Sequence, residues 1–109
     1  MARALLRLVV PTPDRSRVLA RPNGLAGWTL PVVPLPEGAG DVWSEDVLAA
    51  AQRVVGAPVR PVREVLPGAW EVEALGRVPR TGTAWIAPDE AGRLGADAAV
   101  LARWADDDG

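Results

Sequence analysis

The side chains that could do chemistry in this chain are its carboxylates. The 109 residues include no Cys, His or Lys. A cysteine nucleophile, a Ser-His-Asp triad and a lysine Schiff base are therefore excluded within this chain. Any hydrolytic activity would depend on Asp and Glu side chains, which act in such sites by holding Mg²⁺ or Mn²⁺.

Two of these carboxylates are predicted to share one face of a strand. In AWEVEAL, residues 69–75, apolar side chains alternate with Glu71 and Glu73. Paired carboxylates at this spacing could do acid–base chemistry. The more common setting for the pattern is a strand face turned to solvent, and we expect that setting here.

The candidate binding residues are tryptophans and arginines. The chain has five Trp and no Phe or Tyr. Trp28 and Trp85 could each stack on a flat ligand, or could fill the core in place of the missing aromatic residues. Arg21, in the loop-like segment RPNGLAG, could bind a phosphate or carboxylate through two parallel hydrogen bonds, or could be an exposed loop arginine.

The elements that must position these residues are three strands, a helix, three strands and a second helix. Strands are predicted over 3–11, 17–20, 28–33, 58–66, 69–75 and 83–87, and helices over 45–55 and 96–105. This order is typical of a mixed α/β (α+β) domain in which helices pack on a sheet. We expect one domain over 3–105, followed by a disordered tail over 106–109 that could begin a linker.

The helix over 45–55 has clear signals at both ends. Ser44 is a natural N-cap, and the acidic Glu45 and Asp46 are favoured in the first turn by the helix dipole. Apolar side chains recur at helical spacing along the segment. Gly56 marks the C-terminal end, because glycine readily adopts the left-handed conformation that ends many helices.

Three features of the chain together resemble the Nudix hydrolase fold. They are the order of strands and helices, the segment GWTLP at 27–31, and the helix that ends at Gly56. The resemblance covers roughly residues 3–104. It implies a mixed sheet with helices packed on it, and a cleft flanked by the strands that carry Trp28 and Trp85.

The Nudix signature keeps its spacing in this chain but loses its chemistry. With the final glycine of the signature on Gly56, its four acidic positions fall on Asp41, Ala50, Arg53 and Val54. In active members of the family the helix glutamates hold divalent metals against a diphosphate, whereas here only Asp41 is acidic. Arg53 also has the wrong charge, since a guanidinium about 5 Å from a dication is repelled by roughly 6 kcal/mol at an effective dielectric constant of about 20.

The resemblance therefore implies binding in place of catalysis. We expect a catalytically inactive Nudix-like binding or interaction domain, without a cofactor. In this domain Arg53 could hold an anionic ligand where active members hold a metal, or could lie on a solvated helix face. A second hypothesis is a divergent hydrolase of a nucleoside-diphosphate-linked substrate, with Asp41 and Glu37 as weak candidate metal ligands and Glu71 or Glu73 as further ones. A third is a structural or dimerising module that pairs through the strand at 58–66.

Composition and charge narrow the partners. The N-terminal domain of some actinobacterial aminoglycoside-phosphotransferase-type proteins is similar to this chain, and this resemblance implies a C-terminal kinase-like domain as a partner. Self-association and a small-molecule ligand are the other partners that we consider. The net charge is −2 with both signs interspersed, so nucleic acid is not expected. No apolar stretch approaches the roughly 20 residues of a membrane span, and no secretory signal is present, so we expect a cytoplasmic protein.

Overall fold

The computed structural model describes residues 5–23, 27–35, 43–78 and 83–108. Within these ranges the strands are β1 (Leu5–Val9), β2 (Val18–Asn23), β3 (Gly27–Thr29), β4 (Val32–Pro34), β5 (Val59–Leu66), β6 (Ala69–Ala74) and β7 (Ala84–Ile86). The helices are α1 (Glu45–Val55), α2 (Ala98–Asp108) and a 3₁₀ helix over Pro88–Asp97 that leads directly into α2. None of these helices has the length and apolar character needed to cross a membrane.

The strands form two sheets, as expected for a mixed α+β domain. The larger sheet has the order β4-β1-β6-β5, in which β1 and β6 are parallel and the other pairs are antiparallel. The smaller sheet has the order β3-β2-β7 and is antiparallel. β5 lies at one end of the larger sheet, where Pro61 is tolerated because an edge strand needs fewer ladder donors.

The larger sheet separates two hydrophobic cores. Strand β1 contributes to both, because Leu6 and Leu8 pack on the side of α1 while Val9 packs on the side of α2. Alternate side chains of a strand point to opposite faces, which explains the division. The α1 side includes Val47 and the α2 side includes Trp104, both almost fully buried. A sheet covered on both faces leaves few solvent-facing positions in its central strands.

Helix α1 begins and ends where the sequence predicts. The Ser44 hydroxyl accepts a hydrogen bond from the amide of Val47 at 3.4 Å. Gly56 has φ 83° and ψ 18°, the left-handed conformation, and its amide donates to the Gln52 carbonyl at 2.8 Å. The helix and the terminal glycine on which the signature was aligned are therefore present.

The extended piece predicted over 28–33 is two short strands that belong to different sheets. β3 ends at Thr29 in the smaller sheet, and β4 begins at Val32 in the larger one. Pro31 lies between them and has no amide hydrogen to continue a ladder. Its carbonyl accepts from the Leu8 amide at 2.9 Å, which ties the crossing to β1.

The C-terminal helix differs from its prediction at both ends. It begins at Ala98 after the 3₁₀ helix, which contains a kink at Gly95 with φ 59° and ψ −120°. It runs to Asp108, so residues 106–108, which the sequence assigned to a disordered tail, continue the helix. Trp104 is buried, and its packing stabilises the helical turns on either side of it. This packing favours a helix that continues beyond residue 105.

Candidate functional site

The four predicted ligand-binding residues do not converge on one site. Arg21 and Arg53 line the same pocket, while Trp28 and Trp85 each line a different one. Glu37 and Asp41, the weak candidates for metal ligands, lie outside the residues that the structure describes. The site that the structure assembles from the predicted residues is therefore the pocket with the two arginines.

This arginine pocket lies between strand β2, the crossing from β3 to β4, and the C-terminal half of α1. Its volume is about 530 Å³, a size that suits a small molecule. Its walls are mostly proline and aliphatic side chains, with a threonine and two arginines. The lining residues are Arg21, Pro22, Thr29, Leu30, Pro31, Val32, Pro34, Ala50, Arg53 and Val54.

Arg21 belongs to strand β2 and not to a loop, so the loop assignment was wrong. Its Nη1 donates a hydrogen bond of 2.7 Å to the carbonyl of Val54, in the last turn of α1. The carbonyl end of a helix carries partial negative charge, which favours a cation there. The guanidinium is thus held in place at one side of the pocket.

Arg53 is exposed on the last turn of α1 and faces the same pocket. Ala50 and Val54 also line the pocket. Together with Arg53 they occupy three positions at which the Nudix signature has glutamate, and none of the three carries a carboxylate. Within the described residues, neither Arg21 nor Arg53 is paired with a carboxylate. Those residues also contain no group of three or more side chains that could hold a metal ion. The electrostatic character of this pocket is therefore cationic.

Trp28 lines a neighbouring pocket of about 540 Å³ and also packs against the α2-side core. The guanidinium of Arg93 lies 5.9 Å from the centre of its ring, which is cation–π distance. Thr29 and Val32 are shared by this pocket and the arginine pocket. Trp28 is thus partly a core residue and partly a pocket wall.

Trp85 lines the largest of the three pockets, with a volume of about 770 Å³, and packs against the α1-side core. Pro11, Pro13 and Val78 form apolar parts of its wall, and the lining also includes both acidic and basic side chains. Because Trp85 and Trp28 open into separate pockets, they cannot together clamp one small flat ligand.

Glu71 is the polar residue whose setting sequence reasoning missed. It is only 2% exposed, where a solvent-facing position was expected. Arg15 donates to both carboxylate oxygens at 2.8 and 3.2 Å, Arg63 Nε donates at 3.2 Å, and Trp104 Nε1 donates at 2.9 Å. The alternation correctly placed Glu71 on the strand face opposite Trp70 and Val72. However, α2 packs on that face, and no residue pattern within β6 indicates this packing.

The surroundings of Glu71 keep it ionised. Burial by itself raises its pKa, but the hydrogen bonds and charge of Arg15, the Trp104 donor and the charge of Arg63 outweigh it, so that the pKa lies below its ordinary value. Glu73, by contrast, is half exposed and pairs with Arg60 at 3.0 Å. A carboxylate that stays ionised and accepts from three side chains is a poor general acid, so these two glutamates do not form a catalytic pair.

Arg15 reaches Glu71 from a turn with an unusual backbone. Its φ of 60° is in the left-handed region, where a non-glycine residue is uncommon. The turn is stabilised by its own polar groups, because Asp14 accepts from the Thr12 hydroxyl at 2.6 Å and the Ser16 hydroxyl at 2.7 Å. These hydrogen bonds lower the pKa of Asp14 to about 2. The turn therefore presents Arg15 to the buried carboxylate in a defined position.

Comparison with known proteins identifies the fold. No protein-family model matches the chain, and no curated protein resembles its sequence significantly. Among solved structures, an Ap4A hydrolase from C. elegans superposes over the whole of both chains with a TM-score of 0.67 at 12% identity. The Nudix hydrolase RenU from M. smegmatis covers 95% of this chain and 84% of its own, with a TM-score of 0.58 at 18% identity.

A third similar structure comes from a complex between proteins. The complex contains the C-terminal domain of mouse MUTYH and human PCNA, and the matched chain is 20% identical with a TM-score of 0.57, over 97% of this chain and 89% of its own. The chain described here therefore has the Nudix-like fold that its sequence resembles. Identities this low concern the fold alone, so its chemistry has to come from its own residues.

Proposed function

We infer that this protein is a catalytically inactive Nudix-like domain that binds a small anionic molecule in the arginine pocket. The observation that carries this inference is the lining of the pocket. Ala50, Arg53 and Val54 occupy positions where the Nudix signature has glutamates, and Arg21 adds a second guanidinium to the same space.

Metal-dependent hydrolysis is disfavoured by the charges at this place. Mg²⁺ and Mn²⁺ need several oxygen ligands, including carboxylates that offset the charge of the ion. The pocket offers the Thr29 hydroxyl and backbone carbonyls, and two arginines that repel a dication.

An anion meets favourable conditions in the same pocket. Arg21 is already anchored by the Val54 carbonyl, so little side-chain entropy is lost when its guanidinium binds a ligand. Arg53 is exposed at the mouth and can turn toward the ligand. Guanidinium groups favour carboxylate or phosphate, and the proline and aliphatic walls suit an apolar body attached to that group.

The structural neighbours are compatible with a binding role for this kind of fold. Besides the hydrolases, they include a chain from the complex between the MUTYH C-terminal domain and PCNA. Such a fold therefore also occurs in a protein that forms a complex. For the present chain, a pocket of about 530 Å³ favours a small molecule over a flat protein surface.

The experiment pairs a turnover assay with a titration. Ap4A is incubated with the protein and Mn²⁺, and inorganic pyrophosphate is titrated by NMR into the wild-type chain, Arg53→Ala and Arg77→Ala. Arg77 is the matched control, since it is an exposed arginine that lines the Trp85 pocket. We expect no turnover, and pyrophosphate binding that weakens about tenfold or more in Arg53→Ala alone. Turnover with Mn²⁺, or equal binding by all three chains, would overturn the proposal.

A further inference from the structure

Asp97 lies behind one wall of the arginine pocket and holds it. Its Oδ2 accepts from the Thr29 hydroxyl at 2.6 Å and from the Leu30 amide at 3.1 Å. Both of these residues line the pocket. Its Oδ1 accepts from Arg7 Nε at 2.6 Å. A single carboxylate, only 4% exposed, therefore ties the wall to strand β1.

The wall that Asp97 holds stands opposite one of the binding arginines. Thr29 pairs directly with Arg21 in the antiparallel register of β2 and β3. Directly opposite residues share a face and lie about 5 Å apart at their Cβ atoms. A shift of Thr29 would therefore change the space in which the Arg21 guanidinium meets a ligand.

We propose that Asp97 is a positioning residue of the arginine pocket, in an inference that rests on the function proposed above. It acts through Thr29 and Leu30, and it has a second effect through Arg7. Arg7 lines the neighbouring Trp28 pocket and is about 39% exposed, so without a carboxylate it would offer an anion a competing cation. Because Asp97 neutralises Arg7, Arg7 does not compete with the arginine pocket for an anion.

The backbone just before Asp97 directs it inward. Gly95 has φ 59° and ψ −120°, a conformation that side-chain-bearing residues rarely adopt. A Cβ built on Gly95 meets no atom within 4 Å, so the conformation and not lack of space calls for glycine. The kink lies within the 3₁₀ segment, two residues before its last residue Asp97, which stands at the entry to α2 against β1 and the end of β3.

A matched comparison tests the role of Asp97. Asp97 and Glu71 are the two buried charged side chains of the described residues, and both accept hydrogen bonds from arginine. Asp97→Asn removes one acceptor oxygen at the pocket wall, whereas Glu71→Gln makes the same change away from it. Thr29→Val removes the hydrogen bond from the Thr29 hydroxyl to Asp97, and it replaces Asp97→Asn in the comparison if that variant does not fold.

Two readouts are taken for each variant: pyrophosphate affinity by NMR titration, and hydrogen exchange of the Leu30 amide. Exchange is compared with that of the Trp70 amide to correct for global stability. We expect Asp97→Asn to weaken pyrophosphate binding about tenfold and to speed Leu30 exchange about tenfold beyond the global change. Glu71→Gln should change neither quantity after that correction.

The two readouts separate this inference from the proposed function. If the wild-type chain does not bind pyrophosphate, the proposed function fails, while accelerated Leu30 exchange in Asp97→Asn or Thr29→Val still supports Asp97 as the residue that holds the wall. If Leu30 exchange in Asp97→Asn matches that in Glu71→Gln, or if Asp97→Asn binds pyrophosphate like the wild type, the positioning role is overturned.

Discussion

Arginine has opposite roles on the two sides of this molecule. On the α2 side, Arg15 and Arg63 converge on the buried carboxylate of Glu71. At the C-terminal end of α1, Arg21 and Arg53 line one pocket, and within the described residues no carboxylate pairs with either of them. The first pair is part of the folded frame, whereas the second is the pair to which we propose an anion binds.

The difference follows from the number of acceptors near each pair. An ionised carboxylate has about four lone-pair sites, which allows Glu71 to accept from two guanidinium groups and from Trp104. In the arginine pocket the described acceptor is the Val54 carbonyl, which receives a single bond from Arg21. A cation that is only partly compensated and reaches solvent is a natural place for an anionic ligand.

Removing the buried carboxylate gives the largest expected effect on stability. Glu71→Ala leaves Arg15, Arg63 and Trp104 without their common acceptor, and we expect the free energy of unfolding to fall by about 2–3 kcal/mol. The estimate is below that for a fully buried pair, because both arginines are about a third exposed and can turn to water. Urea unfolding measures it.

Glu73→Ala is the matched control, two residues along the same strand face. Its exposed ion pair with Arg60 predicts a loss below about 1 kcal/mol. Equal losses for the two variants would contradict the distinction between a buried network and a surface pair.

Reversing one charge of the arginine pocket comes next in size. Arg53→Glu removes a positive charge and restores a carboxylate at a signature position, so we expect Mn²⁺ to bind at least about tenfold more tightly, or about 1.4 kcal/mol. Calorimetry measures the gain. Arg77→Glu makes the same change in net charge elsewhere, and an equal gain there would mean that overall charge and not the pocket decides.

Removing the cap of α1 should have a smaller effect. Ser44→Ala removes the hydroxyl that accepts from the Val47 amide, and the long distance of 3.4 Å places the expected loss near the low end for caps, about 0.5 kcal/mol. Thermal unfolding measures it. A loss above about 2 kcal/mol would show that the start of α1 depends on contacts beyond this cap.

The response to acid provides the finest test of the α2-side network. The pKa of Glu71 is lower in the folded chain than its ordinary value of 4.5, so its ionised form stabilises the fold above that value. This stability is lost as the pH falls below about 4.5 and through the folded pKa. Glu71→Gln should therefore lose less of its melting temperature between about pH 5 and about pH 3 than the wild type. A parallel acid profile for the variant and the wild type would contradict the assignment.

The elements that sequence reasoning predicted well are those with local causes. Helix α1 begins at Glu45 and ends at Val55 as predicted, because its cap, periodicity and terminal glycine act over neighbouring residues. The strand predicted over 69–75 is present over Ala69–Ala74, and Trp70, Val72 and Ala74 share one face as predicted. The crossing at Leu30 and Pro31 was missed, because a change of sheet depends on distant strands.

The candidate site was predicted only in part. Arg21 and Arg53 share a pocket, but Trp28 and Trp85 are separated from it and from each other. Asp97 carries no local signal of its role, since its three donors lie 67 to 90 residues away along the chain.

The sequence by itself determined which chemistry this chain carries. It lacks Cys, His and Lys, it has arginine and aliphatic side chains at the signature positions of α1, and its caps and periodicity define the elements. The tertiary structure decided which charges are compensated. α2 covers Glu71, and the crossing from β3 to β4 brings Arg21 and Arg53 to one pocket. The reason is physical: caps and alternation act over a few residues, whereas burial and ion pairing depend on which distant segments pack together.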